Sequence, residues 1–571
     1  MPQPSIVANY VVDGLPVDLV ISPDESTALL RTASRDGSVG RTYMLDLSVP
    51  GTPPLTLLHS HPTNIFQVAD FVDALDSSAI ATSWGASTPP PGSMPIPSQL
   101  AIFDLLLASV LNTSAVFDSA TDIAVGHAPV SMLPLAAVIH DSQPVSFWDL
   151  STGLPWGVLS SLPFPSICPP SNGSTQGMAD SIAMTASRVI ALRNAGYPQG
   201  PPGAPASERG FIGIAQLSVP SPGWPKSHGF TACPPQPMPA IPYELVHDLA
   251  VTSDGLKTVV SGTRVIAVVE NRSGTLLDVR QGSTLPTPAF HVYPTSWITA
   301  DSVEVTNTRA VVIGNATAHS GVAPINVPPP ANDPETFRVA VVDIQKPTGP
   351  YSTAVISATG MVPPVAAPAR ASDLAISPDG TKAIVSTRAG ALVLDLTVAV
   401  TQTPLSPAPQ WFPGAPDPLS YTPTSFYPIL ISDSAACSDS AAIVIGRSRA
   451  STSSGQIWVL DWSTAGPPTA TTIDLGAAFL PTDVALTPDR KRAVVRSIDL
   501  QGTRDGRITL VELPSGAVAY DATSSPVGPA ELGRNLGRDH VECSAHFAIS
   551  AGQDGAGTIP PIVGWVQIVR F

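Results

Sequence analysis

Ten aspartates recur along this 571-residue chain, each just ahead of a short apolar run, at a mean spacing of about 58 residues. They are Asp18, Asp70, Asp122, Asp180, Asp248, Asp301, Asp373, Asp433, Asp483 and Asp539. Gathered round one opening, such carboxylates could bind a cationic ligand, or a cation such as calcium, which takes oxygen ligands. The same residues have a second use. A carboxylate at the start of a strand accepts backbone N–H bonds at a turn. An identical residue in every unit of a repeat favours this structural use, because packing symmetry demands it.

Other chemistry-bearing groups are sparse. His59 and His61, in HSH, share one face of an extended strand and could hold a metal, but no third ligand is evident. His540, Cys543 and His546 form an HxxCxxH run. In a strand, Cys543 points away from both histidines, which argues against a single three-ligand site. Cys437 and Cys543 stand four residues after their repeat aspartates and read as buried small hydrophobes. Cys168 and Cys233 lie in two CPP segments that lead into neighbouring units. They are the candidate disulfide, which would imply an oxidising compartment. No GxSxG elbow, P-loop, GxGxxG, HExxH or EF-hand loop is present, so no catalytic residue, metal site or cofactor is assigned.

The elements that would position these residues are short strands. The 64 prolines and 43 glycines are far too many for a helical protein. They lack collagen periodicity and alternate with apolar runs, in a chain that is 43% hydrophobic. Charged residues are only 13%, and the formal net charge is −16. An acidic surface repels phosphate backbones and anionic headgroups, so neither nucleic acid nor membrane is an expected partner. The most apolar stretch, Ile123 to His140, is broken by two prolines and reads as no membrane span. The start of the chain has neither a basic nor an apolar leader region. Sequons at Asn112, Asn172, Asn271 and Asn315 hint weakly at an extracytoplasmic setting.

The repeat is sharpest at LVISPDE-STALLRT, LAVTSDG-LKTVVSG, LAISPDG-TKAIVST and VALTPDR-KRAVVRS, which begin at residues 19, 249, 374 and 484. Each is a strand, a Pro/Asp/Gly turn and a second strand. A third apolar run follows and closes on an acid. These acids are Asp46, Asp104, Asp149, Asp278, Asp343, Asp395, Asp461 and Glu512, and they read as turn formers. A fourth, outer strand is clearest at Ala517 to Thr523 and Ala470 to Gly476, and Pro-rich insertions follow this variable region. Four strands per unit and ten units predict an all-β propeller, a closed ring of ten four-stranded blades over residues 1–571. Units with a long turn alternate with units with a short one, as if a two-blade module had been copied five times. The last unit stops at its third strand, and the unassigned run Ile6 to Val12 would complete it and close the ring. The alternative is two five-bladed rings, 1–240 and 241–571, with a linker near Pro234 to Pro242.

These repeats resemble the YVTN/WD40-like propeller superfamily, which includes lactonase-like and surface-layer-type proteins. LAISPDG with TKAIVST and ALVLDL carries the likeness, together with the Trp148–Asp149 dipeptide. The resemblance implies the fold and leaves the function open, because relatives include platforms and enzymes. The favoured expectation is a non-catalytic binding or scaffolding propeller, extracellular or periplasmic, that meets a protein or carbohydrate at rim loops or a central channel. The alternatives are a lactonase-like hydrolase with a site at the channel mouth, and a self-assembling surface-layer component.

Overall fold

The computed structural model describes residues 4–571 apart from 35–38, 50, 63–71, 84–97, 117–119, 128–131, 141–144, 156–160, 163–170, 175–181, 197–207, 218–225, 230–245, 263–264, 274, 282–302, 317–335, 346–350, 352, 358–370, 401–408, 419–433, 450–453, 465–466, 478, 500–505, 525–540 and 554–562. Ten antiparallel sheets follow one another along the chain and form a single ring, a ten-bladed propeller. Blade 1 is representative. Its strands Leu15–Ile21, Thr27–Ala33, Val39–Asp46 and Leu55–Pro62 lie in chain order from the inner edge outward. The inner strand of blade 1 packs on blade 2 and on blade 10, and that of blade 5 packs on blades 4 and 6. The arrangement of two five-bladed rings is therefore not the one adopted. The segment expected to link them, Pro234 to Pro242, lies outside the described residues, as do most of the Pro-rich insertions.

The last blade contains both ends of the chain. Val541–Cys543, Phe547–Gln553 and Val563–Arg570 are completed by Ser5–Asp13, which pairs antiparallel with the C-terminal strand from Ser5↔Arg570 to Asp13↔Val563. This is the expected closure. The chain passes from that outer strand into the inner strand of blade 1 through one residue, Gly14, at φ +92. A side chain there would collide with the Ala33 carbonyl, so the tight passage requires glycine.

The alternation of long and short turns is a property of the inner strands. In odd blades they are Leu15–Ile21, Ala120–His127, Val246–Val251, Ala371–Ile376 and Phe479–Leu486. In even blades they are Val72–Ala74, Ile182–Met184, Val303–Val305, Ala435–Cys437 and Val541–Cys543, three residues each. Turn chemistry accounts for the difference. The odd-blade loop is closed by Ser22 N–H to Thr27 O, with equivalents at Thr252, Ser377 and Thr487 that span five residues. It needs one residue at positive φ, supplied by Glu25, Gly255, Gly380 and Arg490. The even-blade loop is a four-residue turn, such as Thr185 N–H to Arg188 O. Irregular unit 3 belongs to the long class, with Met132 at positive φ between Ala120–His127 and Pro134–His140.

Two expectations are corrected. The Pro-rich insertions do not all follow outer strands: the run at 198–205 falls between the second and third strands of blade 4, Arg188–Gly196 and Glu208–Gln216, and the run at 404–423 begins after the third strand of blade 7, Gly390–Asp395. Asp278 lies in the outer strand Thr275–Gln281 of blade 5, and Glu270 closes its third strand, Val265–Glu270. The second strand, Lys257–Gly262, ends only two residues before the third begins, so the two apolar runs merge in the sequence.

The core lies between blades. Ile190, Leu192, Ile212 and Ile214 of blade 4 meet Val246, Leu249, Val260 and Val269 of blade 5, for example. Strands buried on both faces explain the continuous apolar runs. Each such Val, Leu or Ile contributes about 1.5–3 kcal/mol of burial. Among the described residues, no helix is long and apolar enough to cross a membrane.

Removing residues 1–13 takes Ala8 and Val12 out of the core shared by blades 10 and 1 and bares the edge of Val563–Arg570. Calorimetry should show a melting temperature lower by roughly 5–10 °C. Light scattering should show self-association through the open edge, reversed by a peptide spanning residues 4–13.

Candidate functional site

Five of the ten repeat aspartates are described, one in each odd blade: Asp18, Asp122, Asp248, Asp373 and Asp483. Each is no more than 4% exposed. A bulge just ahead of each, such as Pro16/Asp18 or Pro481/Asp483, sets the carboxylate against the next blade. One oxygen accepts the N–H of the following residue at 2.8–2.9 Å, that is, of Leu19, Ile123, Leu249, Leu374 or Val484. The other accepts an N–H from the inner strand of the next blade. The donors are Val72 at 3.0 Å, Ile182 at 3.0 Å, Val303 at 2.9 Å, Ser434 at 2.7 Å with Ala435 at 2.9 Å, and Val541 at 2.9 Å. The carboxylates are thus engaged as inter-blade staples, each joining an odd blade to the even blade after it. Asp70, Asp180, Asp301, Asp433 and Asp539 lie outside the described residues. In sequence each stands two residues ahead of a staple donor.

A second set of acids was not singled out in the sequence. Asp73, Glu304 and Glu542 occupy the middle of the short inner strands of blades 2, 6 and 10, where blades 4 and 8 have Ala183 and Ala436. Asp73 repeats the staple in the other direction. It accepts Ala74 N–H at 2.8 Å and Val125 N–H of blade 3 at 3.1 Å. Glu542 lies near both Asp483 and Asp18, and its carboxyl is pushed up to about 8 by burial and by those two charges. The sequence does carry a signal for this set. DFVD, DSVE and DHVE place an acid three residues after the marker in three of the five short units.

Two wholly buried arginines stand behind the staples of blades 1 and 9. Arg31 pairs in register with Asp18, and Arg496 with Asp483. Blades 3, 5 and 7 have Ile139, Ser261 and Ser386 at that position. Burial pulls Arg31 down to about 9 and Arg496 to about 10, against the opposing pull of the aspartates. Arg31 donates to Thr42 Oγ1 at 3.3 Å, and Arg496 to Thr482 Oγ1 at 2.8 Å.

The face formed by the turns after the inner and third strands carries many acids and also exposes Met132 and Leu256. The acids that close third strands form turns as expected. Asp46, Asp149 and Asp395 each accept the N–H and hydroxyl of Ser48, Ser151 and Thr397. Burial works against ionisation of Asp149 and Asp395, yet these hydrogen bonds hold both below the ordinary carboxylate value. Blade 2 breaks the pattern. Where other blades have Ser48, Ser151 or Ser463, it places Leu106, followed by Leu107, 79% and 73% exposed. On the same face, a cleft of about 400 Å³ opens between blades 10 and 1, lined by Asp24, Glu25, Ser48, His546 and Arg570. Glu25 accepts the Ala545 N–H across it at 2.6 Å.

The remaining candidates separate. The His59 ring meets the edge of Phe103 at 6.4 Å, and its pKa is lowered by burial and by the Arg31 charge. The side chain of His61, together with His540, Cys168 and Cys233, lies outside the described residues. Cys437 and Cys543 pack in the interfaces with the preceding blades. Burial raises both thiols well above their ordinary value. Among the described residues, no three His, Cys, Asp or Glu side chains form a group able to hold a metal. Two sequons serve the fold. Asn271 is buried, accepts Thr258 Oγ1 at 2.7 Å and donates to Gly255 O at 3.0 Å, while Asn112 donates to Gly153 O.

No protein-family model and no curated protein matches this chain. Among solved structures it is similar to a eukaryotic initiation factor, with 12% identity over 92% of this chain and 91% of that one and a TM-score of 0.42. It is also similar to the WD40 domain of SCAP from fission yeast, with 8% identity over 100% and 98% and a TM-score of 0.36. Hsv2 from Kluyveromyces lactis shows 10% identity over 81% and 98%, with a TM-score of 0.33. The propeller assignment rests on the strand pairing itself, not on these likenesses.

Asp373 receives three backbone N–H groups, so D373A should weaken the junction of blades 7 and 8 by about 2–4 kcal/mol, read as lost hydrogen-exchange protection at Ser434 and Ala435. D373N keeps one accepting oxygen and should lose roughly half as much. Cys437 and Cys543 should resist alkylation in the native protein and react at unfolding rates, as followed by mass spectrometry.

Proposed function

We propose that this chain is a non-catalytic binding platform of the YVTN/WD40-like kind, and that its partner is a protein met on the turn-lined face. The observation that carries this reading is the pair Leu106 and Leu107. They project from a turn where blade 1 has Ser48 and Val49 and blade 3 has Ser151 and Thr152, and they are far more exposed than Val49. Two large aliphatic side chains left in water on a rigid ring lower the free energy when covered, and aliphatic rather than aromatic groups fit a protein pocket better than a sugar ring. The net charge of −16 argues against an anionic partner. The staples support the reading from a second side. They fix neighbouring blades, so the turns are presented pre-organised and little ordering entropy is lost on binding.

An extracytoplasmic location is part of the proposal. Peptide mapping without reductant checks it through the expected Cys168–Cys233 bridge, and finding both thiols free in protein from its native compartment would remove that support.

Cross-linking to captured partners should place residues 104–111 at the contact. The double variant L106S/L107S should fold with an unchanged melting temperature and lose that cross-link and most of the affinity. Unchanged capture by the variant would overturn the assignment of the face. Calcium-dependent turnover of a lactone or ester panel would instead favour the hydrolase reading, and ordered two-dimensional arrays the surface-layer reading.

A further inference from the structure

Eight blades close their third strand on an acid, and blade 4 closes it on Gln216. In three of the eight, a cation opposite in the second strand pairs with that acid: Arg309 with Asp343 at 3.0 Å, Lys382 with Asp395 at 3.1 Å and Arg492 with Glu512 at 2.8 Å. Blade 10 reverses the arrangement. Arg570 stands at the position of the acid, and the residue opposite it is Phe547. The guanidinium lies over the Phe547 ring, 5.7 Å from its centre. Arg570 is exposed, and among the described residues it has no ion pair.

Arg570 lines the cleft of about 400 Å³ between blades 10 and 1. Blade 10 gives this cleft Arg570 and His546, and blade 1 gives it Asp24 and Glu25. Both carboxylates are already positioned. Asp24 Oδ1 accepts the Ser22 and Ser26 hydroxyls at 2.7 and 2.9 Å, and Glu25 Oε2 accepts the Ala545 N–H at 2.6 Å. Burial works against ionisation of Asp24, yet the bonds from Ser22 and Ser26 hold it below the ordinary carboxylate value. Each acid keeps a second oxygen. Opposite charges thus line one opening, and among the described residues no ion pair joins them. Leu47, Val49 and Phe547 add apolar surface to the same lining.

We propose that this cleft binds a small zwitterion, a free amino acid or a short peptide: Arg570 receives its carboxylate, Asp24 and Glu25 receive its ammonium, and the apolar lining takes a small aliphatic side chain. A guanidinium offers a carboxylate two parallel N–H donors, which suits it to this task. The net charge of −16 disfavours a purely anionic ligand, and Arg570 disfavours a purely cationic one. The volume falls within the range of about 300–1,000 Å³ usual for small-molecule sites. This ligand is independent of the protein partner met at Leu106 and Leu107.

The test is titration of the full chain with alanine, dialanine and trialanine, followed by ligand-observed NMR, beside N-acetyl-dialanine and dialanine amide. At least one free form should bind, and the length that binds best separates an amino acid from a peptide. Blocking either end of dialanine should weaken binding about tenfold or more. R570Q should keep the wild-type melting temperature, because the side chain is exposed and unpaired, and lose about tenfold in affinity. R570K, which keeps the charge and loses the fork, should recover part of it. E25Q keeps an accepting oxygen for Ala545 and should weaken the free forms while leaving N-acetyl-dialanine unaffected. No binding of any free form, equal binding of the blocked and free dipeptides, or wild-type affinity in R570Q overturns the assignment.

Discussion

A buried carboxylate that accepts one N–H from its own strand and another from the next blade is the interaction on which this ring depends. Apolar packing between blades is strong but non-directional, and a stack of alanine, valine and isoleucine faces would tolerate sliding or a change of angle. The staple is directional. Its two oxygens fix the inner strand of one blade against that of the next at hydrogen-bond distance, and a bulge ahead of each aspartate places it. The low exposure that makes the bond strong also makes its loss costly, because the N–H left behind has no water to turn to.

The bond also explains how a chain with so many prolines and glycines holds together. The staples and most of the inter-blade packing lie on the inner three strands, and the Pro-rich runs fall in the connections between strands, as at 88–97 and 198–205 between second and third strands. Variation there leaves the ring intact. The same division separates roles on the turn face. Asp46, Asp149 and Asp395 are bound up in their own turns, whereas in blade 2 the Leu107 N–H closes the turn on Asp104 and the Leu106 and Leu107 side chains stand in water.

Much of this was legible in the sequence, for a physical reason. Strands buried on both faces read as apolar runs, turns need particular residues, and a staple repeated in every odd blade leaves an aspartate at a fixed offset. Closure by the first strand was legible because a missing outer strand and a spare one are both countable. The third strand of blade 5 was misread where two apolar runs lie almost end to end and the outer strand happens to contain Asp278. The buried arginines escaped notice for another reason. Arg31 and Arg496 are ordinary charged residues in sequence, and only strand pairing sets them beside the stapling aspartates. Asp73 and Glu542 share an offset, but an offset filled by alanine in two of five blades is easily passed over.

The alternation of long and short inner strands has a genetic consequence. The staple repeated in all five odd blades runs from a long-stranded blade to a short-stranded one, so the two kinds are not interchangeable neighbours. Losing one blade by unequal crossover would leave two blades of the same kind side by side, with one buried carboxylate facing the wrong strand. Losing or gaining a pair would preserve every junction. Viable descendants of this ring should therefore differ from it by pairs of blades, at eight or twelve, and an ancestor is better sought as a two-blade peptide that assembled as a ring of copies than as a single blade.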